Sequence, residues 1–183
     1  MPSFRLRSIC IASFLLAGAG LAHAEDAMIL WPAGWDVQSL PVSESGTEQP
    51  TVQLRQRAIK NDQRGEPSMV VELTRSRLVP GHAVNVQGVL LEMRKAVQVD
   101  FARSGLQSAC THVREVSLGG VPGMESTCTV TQNGVHVMTQ TLVAAADAQQ
   151  AWSLSYAGSA QGYAQNKDEV QRIRDSLRLG DAR

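Results

Sequence analysis

The dipeptide Asn133-Gly134 constrains the fold of this chain more than any other sequence feature. It lies between two strand-like runs, residues 124–132 and 135–145. Asn-Gly is the strongest short signal for a two-residue β-hairpin turn, because both residues adopt positive φ at low cost. The two runs are therefore predicted to pair as adjacent antiparallel strands, with His136 opposite Thr131.

Two further turn signals extend this hairpin into a meander. Residues 119–123, Gly-Gly-Val-Pro-Gly, separate a strand-like run at 110–118 from the strand that follows. Residues 147–150 turn the chain into 151–157, where apolar and polar residues alternate. Such alternation indicates a half-buried strand. Three hairpin turns thus join four predicted strands.

The N-terminal half predicts three more strands. The first is residues 35–40, and a polar stretch at 43–50 then predicts an exposed loop. The alternating run 51–60 and the returning strand 69–74 are joined by turn-forming residues at 61–67, which predicts a hairpin with a long tip.

The hydrophobic periodicity changes after Pro80. Apolar residues recur at spacings of three and four from Val86 to Phe101, which predicts an amphipathic helix of about five turns at about 3.6 residues each. Asn85 is a suitable N-cap, and Gly105 is a suitable residue to end the helix.

A closing helix follows a predicted break in the sheet at 158–162. Its apolar stripe comprises Tyr163, Val170, Ile173 and Leu177. Two helices that packed only on each other would leave the sheet uncovered. The predicted fold class is therefore α+β, an antiparallel sheet of about six to seven strands with two main helices packed on it.

Residues 1–24 have the three-part organisation of a secretory signal peptide. Arg5 and Arg7 precede a short apolar segment, and Ala22 and Ala24 place small residues at the cleavage positions. The apolar segment is shorter than the roughly 20 residues of a membrane span, and no Cys stands at the first mature position for lipidation. We expect cleavage after Ala24, an exported protein that is periplasmic or secreted, and one globular domain at 25–183.

Charge and motif content exclude several function classes. The chain has 17 Lys+Arg and 17 Asp+Glu, so it has no basic field for a nucleic acid. The glycines at 119–123 are not followed by the Lys-Ser or Lys-Thr of a phosphate-binding loop. We expect no nucleic-acid partner, no cofactor, no membrane span after cleavage, and a monomer or weak dimer.

Cys110 and Cys128 are predicted to form a structural disulfide. Cys10 lies within the predicted leader, and an oxidising compartment favours bridging of the remaining pair. A hairpin centred on Gly119 sets Cys110 opposite Cys128, at a Cβ distance of about 4.5–5.5 Å that suits a disulfide. The alternative is a redox-active pair, but such pairs usually lie close in sequence beside a helix N-terminus.

The order of these elements supports a resemblance to a known fold. The chain resembles PsbP-like α/β/α sandwiches in four features. These are a Trp-rich opening, a long helix, a meander that carries Trp152, and a closing helix that ends Asp175-Ser176-Leu177-Arg178-Leu179. More narrowly, the chain resembles small secreted proteins of Gram-negative bacteria classed as a domain of unknown function. The resemblance covers residues 31–179. It implies the fold, export and an accessory or binding role, and it supplies no site residues.

The sequence shows no catalytic or metal-binding constellation. His82, His112 and His136 lack metal-ligand spacing, and the last two are predicted to point to opposite faces of the sheet. The predicted register also sets His112 opposite Ser126. We interpret this pair as a cross-strand hydrogen bond rather than a catalytic dyad, because no third group is placed to orient the histidine.

Trp31 and Trp35 flank Pro32 and Gly34 near the predicted mature N-terminus. Two alternatives stay open for them. Their rings form a candidate groove for a peptide or a sugar, or they cover one end of the core.

The function that we expect from the sequence is that of an exported, non-enzymatic accessory or binding protein with an unknown protein or small-molecule partner. The alternatives are a secreted factor that acts on a host or competitor surface, and a hydrolase with an unrecognised cleft.

Overall fold

Eight strands and two helices form the part of the chain that the computed structural model describes, residues 29–42 and 50–179. The predicted signal peptide, residues 1–24, and most of the predicted loop at 43–50 lie outside the described residues. The elements are β1 (Trp35–Ser39), β2 (Thr51–Asn61), β3 (Pro67–Arg77), α1 (Val86–Arg103), β4 (Gln107–Cys110), β5 (Arg114–Leu118), β6 (Val121–Gln132), β7 (Val135–Ala146), β8 (Gln150–Ser159) and α2 (Ala160–Ser176).

The strands form one antiparallel sheet. Its order is β1-β2-β3-β8-β7-β6, and β4 and β5 both pair with the outer side of β6. The α+β class, the β2–β3 hairpin and the meander are confirmed. Asn133 and Gly134 have φ of 49° and 78°, and their turn places His136 opposite Thr131, as the sequence predicts.

The run at 110–118 is not a single strand, and the sheet has eight strands rather than six or seven. β4 pairs with β6 so that Cys110 lies opposite Cys128, whereas the register of β5 is shifted by one residue. The turn between β5 and β6 is the pair Gly119-Gly120, with φ of 58° and 93°, and is not centred on Gly119. Residues 111–113, between the two short strands, absorb the shift.

The two helices pack on opposite faces of the sheet. Adjacent residues of β7 show the alternation, because Leu142 and Ala144 pack with α1 while Val143 and Ala145 belong to the core under α2. α2 packs against β3, β7 and β8, and α1 packs against β4, β6 and β7. The architecture is therefore an α/β/α sandwich.

The first helix has the predicted ends. The Asn85 side chain accepts a hydrogen bond from the Gly88 N–H at 3.0 Å, and Gly105, with φ of 72°, lies two residues after the last helical residue. Leu90 is its fully buried residue. Within the described residues, neither helix is long and apolar enough to cross a membrane.

Candidate functional site

A cavity of about 760 Å³ lies between the tip of the β2–β3 hairpin and the first turns of α2. We call it the polar cleft. Its walls come from residues 60–68 on the hairpin side and residues 159–166 on the helix side. Apart from Gly162, Pro67 is the only apolar residue in the lining. The lining of the cleft therefore suits a polar ligand better than an apolar one.

The hairpin wall is preset by Asp62. Its Oδ1 accepts backbone N–H bonds from Arg64 at 2.8 Å and Glu66 at 3.0 Å, and the N–H of Gly65 donates to the Asp62 carbonyl at 3.0 Å. These backbone hydrogen bonds, with that from Glu66 contributing most, lower the pKa of Asp62. The side chain thus fixes the turn that carries the wall.

Close packing of two glycines joins the hairpin to the helix. A Cβ at Gly158 or at Gly162 would overlap the carbonyl oxygen of Ser68, at the start of β3. Ser159 caps α2, since its Oγ accepts from the Gly162 N–H at 3.0 Å. The strand ends within the predicted break at 158–162, because β8 runs to Ser159 and α2 begins at Ala160 with no loop between them. Gly158 and Gly162 allow close approach of the backbone at this junction.

Lys60 connects the polar cleft to the N-terminal tryptophans. Its ammonium group forms an ion pair with Glu169 and lies 5.8 Å from the centroid of the Trp35 ring. The Trp35 Nε1–H donates to Glu169 Oε1 at 3.2 Å. Burial opposes ionisation of Glu169, but the hydrogen bonds from Lys60 and Trp35 outweigh it and lower the pKa of Glu169.

Trp31 and Trp35 pack against the core under α2. Trp35 is 8% exposed, Trp31 is partly buried, and their ring centroids are 6.2 Å apart. Neither ring lines the polar cleft, which begins at Lys60. A ligand groove between the two rings stays a prediction.

Most of the free polar side chains of the cleft are uncharged amides, and the carboxylate of Glu66 is the charged one among them. Lys60 is paired with Glu169, and Arg64 is paired with Asp62 at 3.4 Å. Four amide side chains make no hydrogen bond with another described residue: Asn61, Gln63, Gln161 and Gln165. They are exposed on both walls. Each amide offers two donors and one acceptor, so the cleft can bind a ligand that both donates and accepts.

Sequence reasoning missed these amides. The sequence predicts a turn for Asn61 and Gln63, a break in the sheet for Gln161 and a polar position on the closing helix for Gln165, which is how such residues usually behave. The four-residue spacing of Gln161 and Gln165 places both on one helix face, and this signal could have indicated half of the site.

The candidate pair of His112 and Ser126 does not form. Ser126 is 1% exposed, and its hydroxyl donates to the Thr111 carbonyl at 2.9 Å. His112 is exposed within 111–113, where the shift between β4 and β5 removes it from the ladder, so the predicted cross-strand partner was wrong. In the described part of the chain, no three His, Cys, Asp or Glu side chains are grouped closely enough to hold a metal ion.

The Cys110–Cys128 disulfide is present, and β7 separates its strands from β8 and the cleft. It joins β4 to β6 between directly opposed residues, with an S–S distance of 2.08 Å. Its place between two paired strands is typical of a structural bridge.

Comparisons with known proteins agree on the fold. A family model described as Domain of unknown function (DUF4946) matches residues 26–179. The solution structure of cyanobacterial PsbP (CyanoP) from Synechocystis sp. PCC 6803 is similar, with 12% identity, a TM-score of 0.58, and coverage of 91% of this chain and 98% of that chain. LpqN of Mycobacterium tuberculosis, described as involved in cell envelope biogenesis, has 14% identity and a TM-score of 0.51 over 85% of this chain and 83% of its own. No curated protein sequence matches the chain.

Proposed function

The chain belongs to the DUF4946 family of domains of unknown function, and from that premise we propose that it is an exported, non-enzymatic accessory protein that binds a polar ligand in the polar cleft. The observation that carries the proposal is the set of four unpartnered amides, which face a cavity of about 760 Å³ from two walls. A cavity of this size lies within the range of about 300–1,000 Å³ that small-molecule sites occupy.

The state of the charged groups supports binding rather than catalysis. A general acid, base or nucleophile needs a titratable group that is free to reach the substrate. In the cleft, Lys60 and Asp62 are tied to Glu169 and to the hairpin turn, and Arg64 is paired with Asp62. The carboxylate of Glu66 is the one titratable side chain of the lining without a partner in the described residues, so no acid–base pair is free there. Ser126 lies elsewhere, buried and bonded to the Thr111 carbonyl. The cleft is therefore better equipped to hold a ligand than to transform it.

Export is supported by three independent features. The first is the signal-peptide organisation of residues 1–24. The second is the disulfide, which persists in oxidising compartments such as the bacterial periplasm. The third is the likeness to LpqN, whose description places it in cell envelope biogenesis. We propose the periplasm of a Gram-negative bacterium as the destination.

Native mass spectrometry of the protein isolated from the periplasm without refolding tests this function. We expect a chain that begins at Glu25, lacks the two hydrogens lost on disulfide formation, and carries a small adduct that denaturation removes. The double variant Gln161→Ala/Gln165→Ala should lose the adduct, while Gln87→Ala on the exposed surface of α1 should keep it. A bare chain under gentle conditions, or an adduct that the cleft variant retains, would contradict the proposed function.

Cell fractionation separates the proposal from its secreted alternative. A periplasmic accessory protein stays in the periplasmic fraction, whereas a factor that acts on a host or competitor surface accumulates in the culture supernatant.

A further inference from the structure

We infer that the ligand of the polar cleft is a neutral, hydroxyl-rich molecule, namely a short uncharged oligosaccharide. This inference rests on the proposed function, because it names the chemical class of ligand for the same site. Three observations lead to it: the type of the unpartnered groups, the charge balance of the walls, and the lack of apolar recesses.

The unpartnered groups match hydroxyl chemistry. Asn61 and Gln63 line the cleft on the hairpin wall, and Gln161 and Gln165 line it on the helix wall. A carboxamide presents donors and an acceptor side by side, and a sugar hydroxyl is both a donor and an acceptor. Neighbouring hydroxyls of a sugar can therefore satisfy the amides of both walls at once.

The charge balance disfavours an anionic ligand. The two cations of the walls, Lys60 and Arg64, already have carboxylate partners in Glu169 and Asp62. Glu66 adds a carboxylate to the lining that is paired with no cation in the described residues. An exposed carboxylate accepts hydrogen bonds from hydroxyls and repels phosphates and carboxylates.

The shape and lining disfavour a peptide. Peptide ligands are recognised through apolar recesses for their side chains or by pairing with a strand edge. Pro67 is the sole apolar side chain of the lining, and the cleft lies at a hairpin tip rather than along an edge. No aromatic ring lines the cleft for sugar stacking, so hydrogen bonds with the amides carry the binding.

Titration of the mature, oxidised protein followed by ¹H–¹⁵N NMR tests the inference. The probes are chitotriose and maltotriose as neutral oligosaccharides, with inorganic phosphate and trialanine as anionic and peptide probes. We expect at least one neutral oligosaccharide to shift the side-chain NH₂ signals of Gln161 and Gln165 and of Asn61 and Gln63. Phosphate and trialanine should leave these signals unchanged.

Matched variants assign the shifts to the cleft. Gln161→Ala/Gln165→Ala should weaken saccharide binding by at least about tenfold, because the variant loses one to two neutral hydrogen bonds to the ligand. Gln87→Ala should bind like the parent protein. Unchanged backbone spectra outside the cleft would establish that the double variant is folded. Binding that survives the loss of both amides, stronger shifts with phosphate or trialanine, or no shift with either oligosaccharide would each overturn the inference.

The two experiments distinguish the inference from the proposed function. A periplasmic adduct that depends on Gln161 and Gln165 but is not a saccharide leaves the binding function intact and overturns the ligand class. The absence of both an adduct and saccharide binding removes both proposals.

Discussion

Glu125 is a single carboxylate that links three elements beneath α2. It is 1% exposed on β6 and forms ion pairs with Arg174 of α2 and with Arg114 of β5. Arg174 is itself buried, with 9% of its side chain exposed, whereas 70% of the Arg114 side chain is exposed. A buried carboxylate is tolerated only where it is paired, so Arg174 is the partner that matters most.

Removal of Arg174 should be costly because it leaves a buried charge. We expect Arg174→Met to lower the free energy of unfolding by about 3 kcal/mol, and the double variant Glu125→Leu/Arg174→Met to recover much of that loss. Arg178→Met, which removes an exposed arginine near the end of the same helix, should change stability by less than about 0.5 kcal/mol. Urea unfolding measures all three. A double variant less stable than Arg174→Met would contradict this account.

The raised pKa of Tyr163 should make the stability of the fold depend on pH. Its hydroxyl lies 2.7 Å from Thr141 Oγ1, and burial raises its pKa from 10.0 to about 12. The folded protein thus holds the phenolic proton more tightly than the unfolded chain, and stability should fall as the pH rises from about 10 to about 12. Urea unfolding across this range should show a decline in the parent protein that is smaller in Tyr163→Phe. Equal declines would contradict the derived sign.

Contact between β3 and α2 depends on Gly162. Alanine normally stabilises a helix relative to glycine by about 0.5–1 kcal/mol. At Gly162 the sign should reverse, because the added Cβ would overlap the Ser68 carbonyl oxygen, and we expect a loss of about 1–3 kcal/mol. Thermal and urea unfolding of Gly162→Ala test this. A variant more stable than the parent protein would show that the hairpin and the helix are not locked together.

The elements were predictable from sequence where the signal is local. Asn133-Gly134 specifies its own turn and therefore the register of β6 and β7, and Asn85 specifies the start of α1. The split of 110–118 was not predictable, because the Thr111 side chain supplies part of the pairing there: its Oγ1 accepts from the Thr127 N–H at 3.0 Å. When a side chain replaces one backbone hydrogen bond between two strands, the alternation of apolar and polar residues in the sequence does not change.

The polar cleft could not be predicted from the sequence, for a different reason. Its walls come from segments about 100 residues apart, 60–68 and 159–166, and only the pairing of β3 with β8 brings them together. Each wall by itself has the composition of an ordinary solvated turn or helix start. The disulfide register could be predicted because its signal is short in range, whereas the site depends on tertiary pairing.

Across the whole molecule, the disulfide and the cleft lie on different strands of one sheet. The hairpin wall of the cleft belongs to β2 and β3, and the disulfide joins β4 to β6 on the other side of β8 and β7. The chain between the cysteines spans 18 residues, and closing such a span restricts the unfolded chain. The bridge should therefore stabilise the fold without shaping the cleft.

Cys110→Ser tests this separation. We expect it to lower the free energy of unfolding by about 2–4 kcal/mol, because the unfolded chain regains the entropy that the bridge removes. Reductant should lower the melting temperature of the parent protein and leave that of the variant unchanged. The NMR signals of Gln161 and Gln165 should keep their positions in both, since β3, β8 and β7 remain paired between the two sites. If reductant does not change the melting temperature of the parent protein, the bridge does not stabilise the fold. If the signals of Gln161 and Gln165 move on reduction, the disulfide and the cleft are coupled.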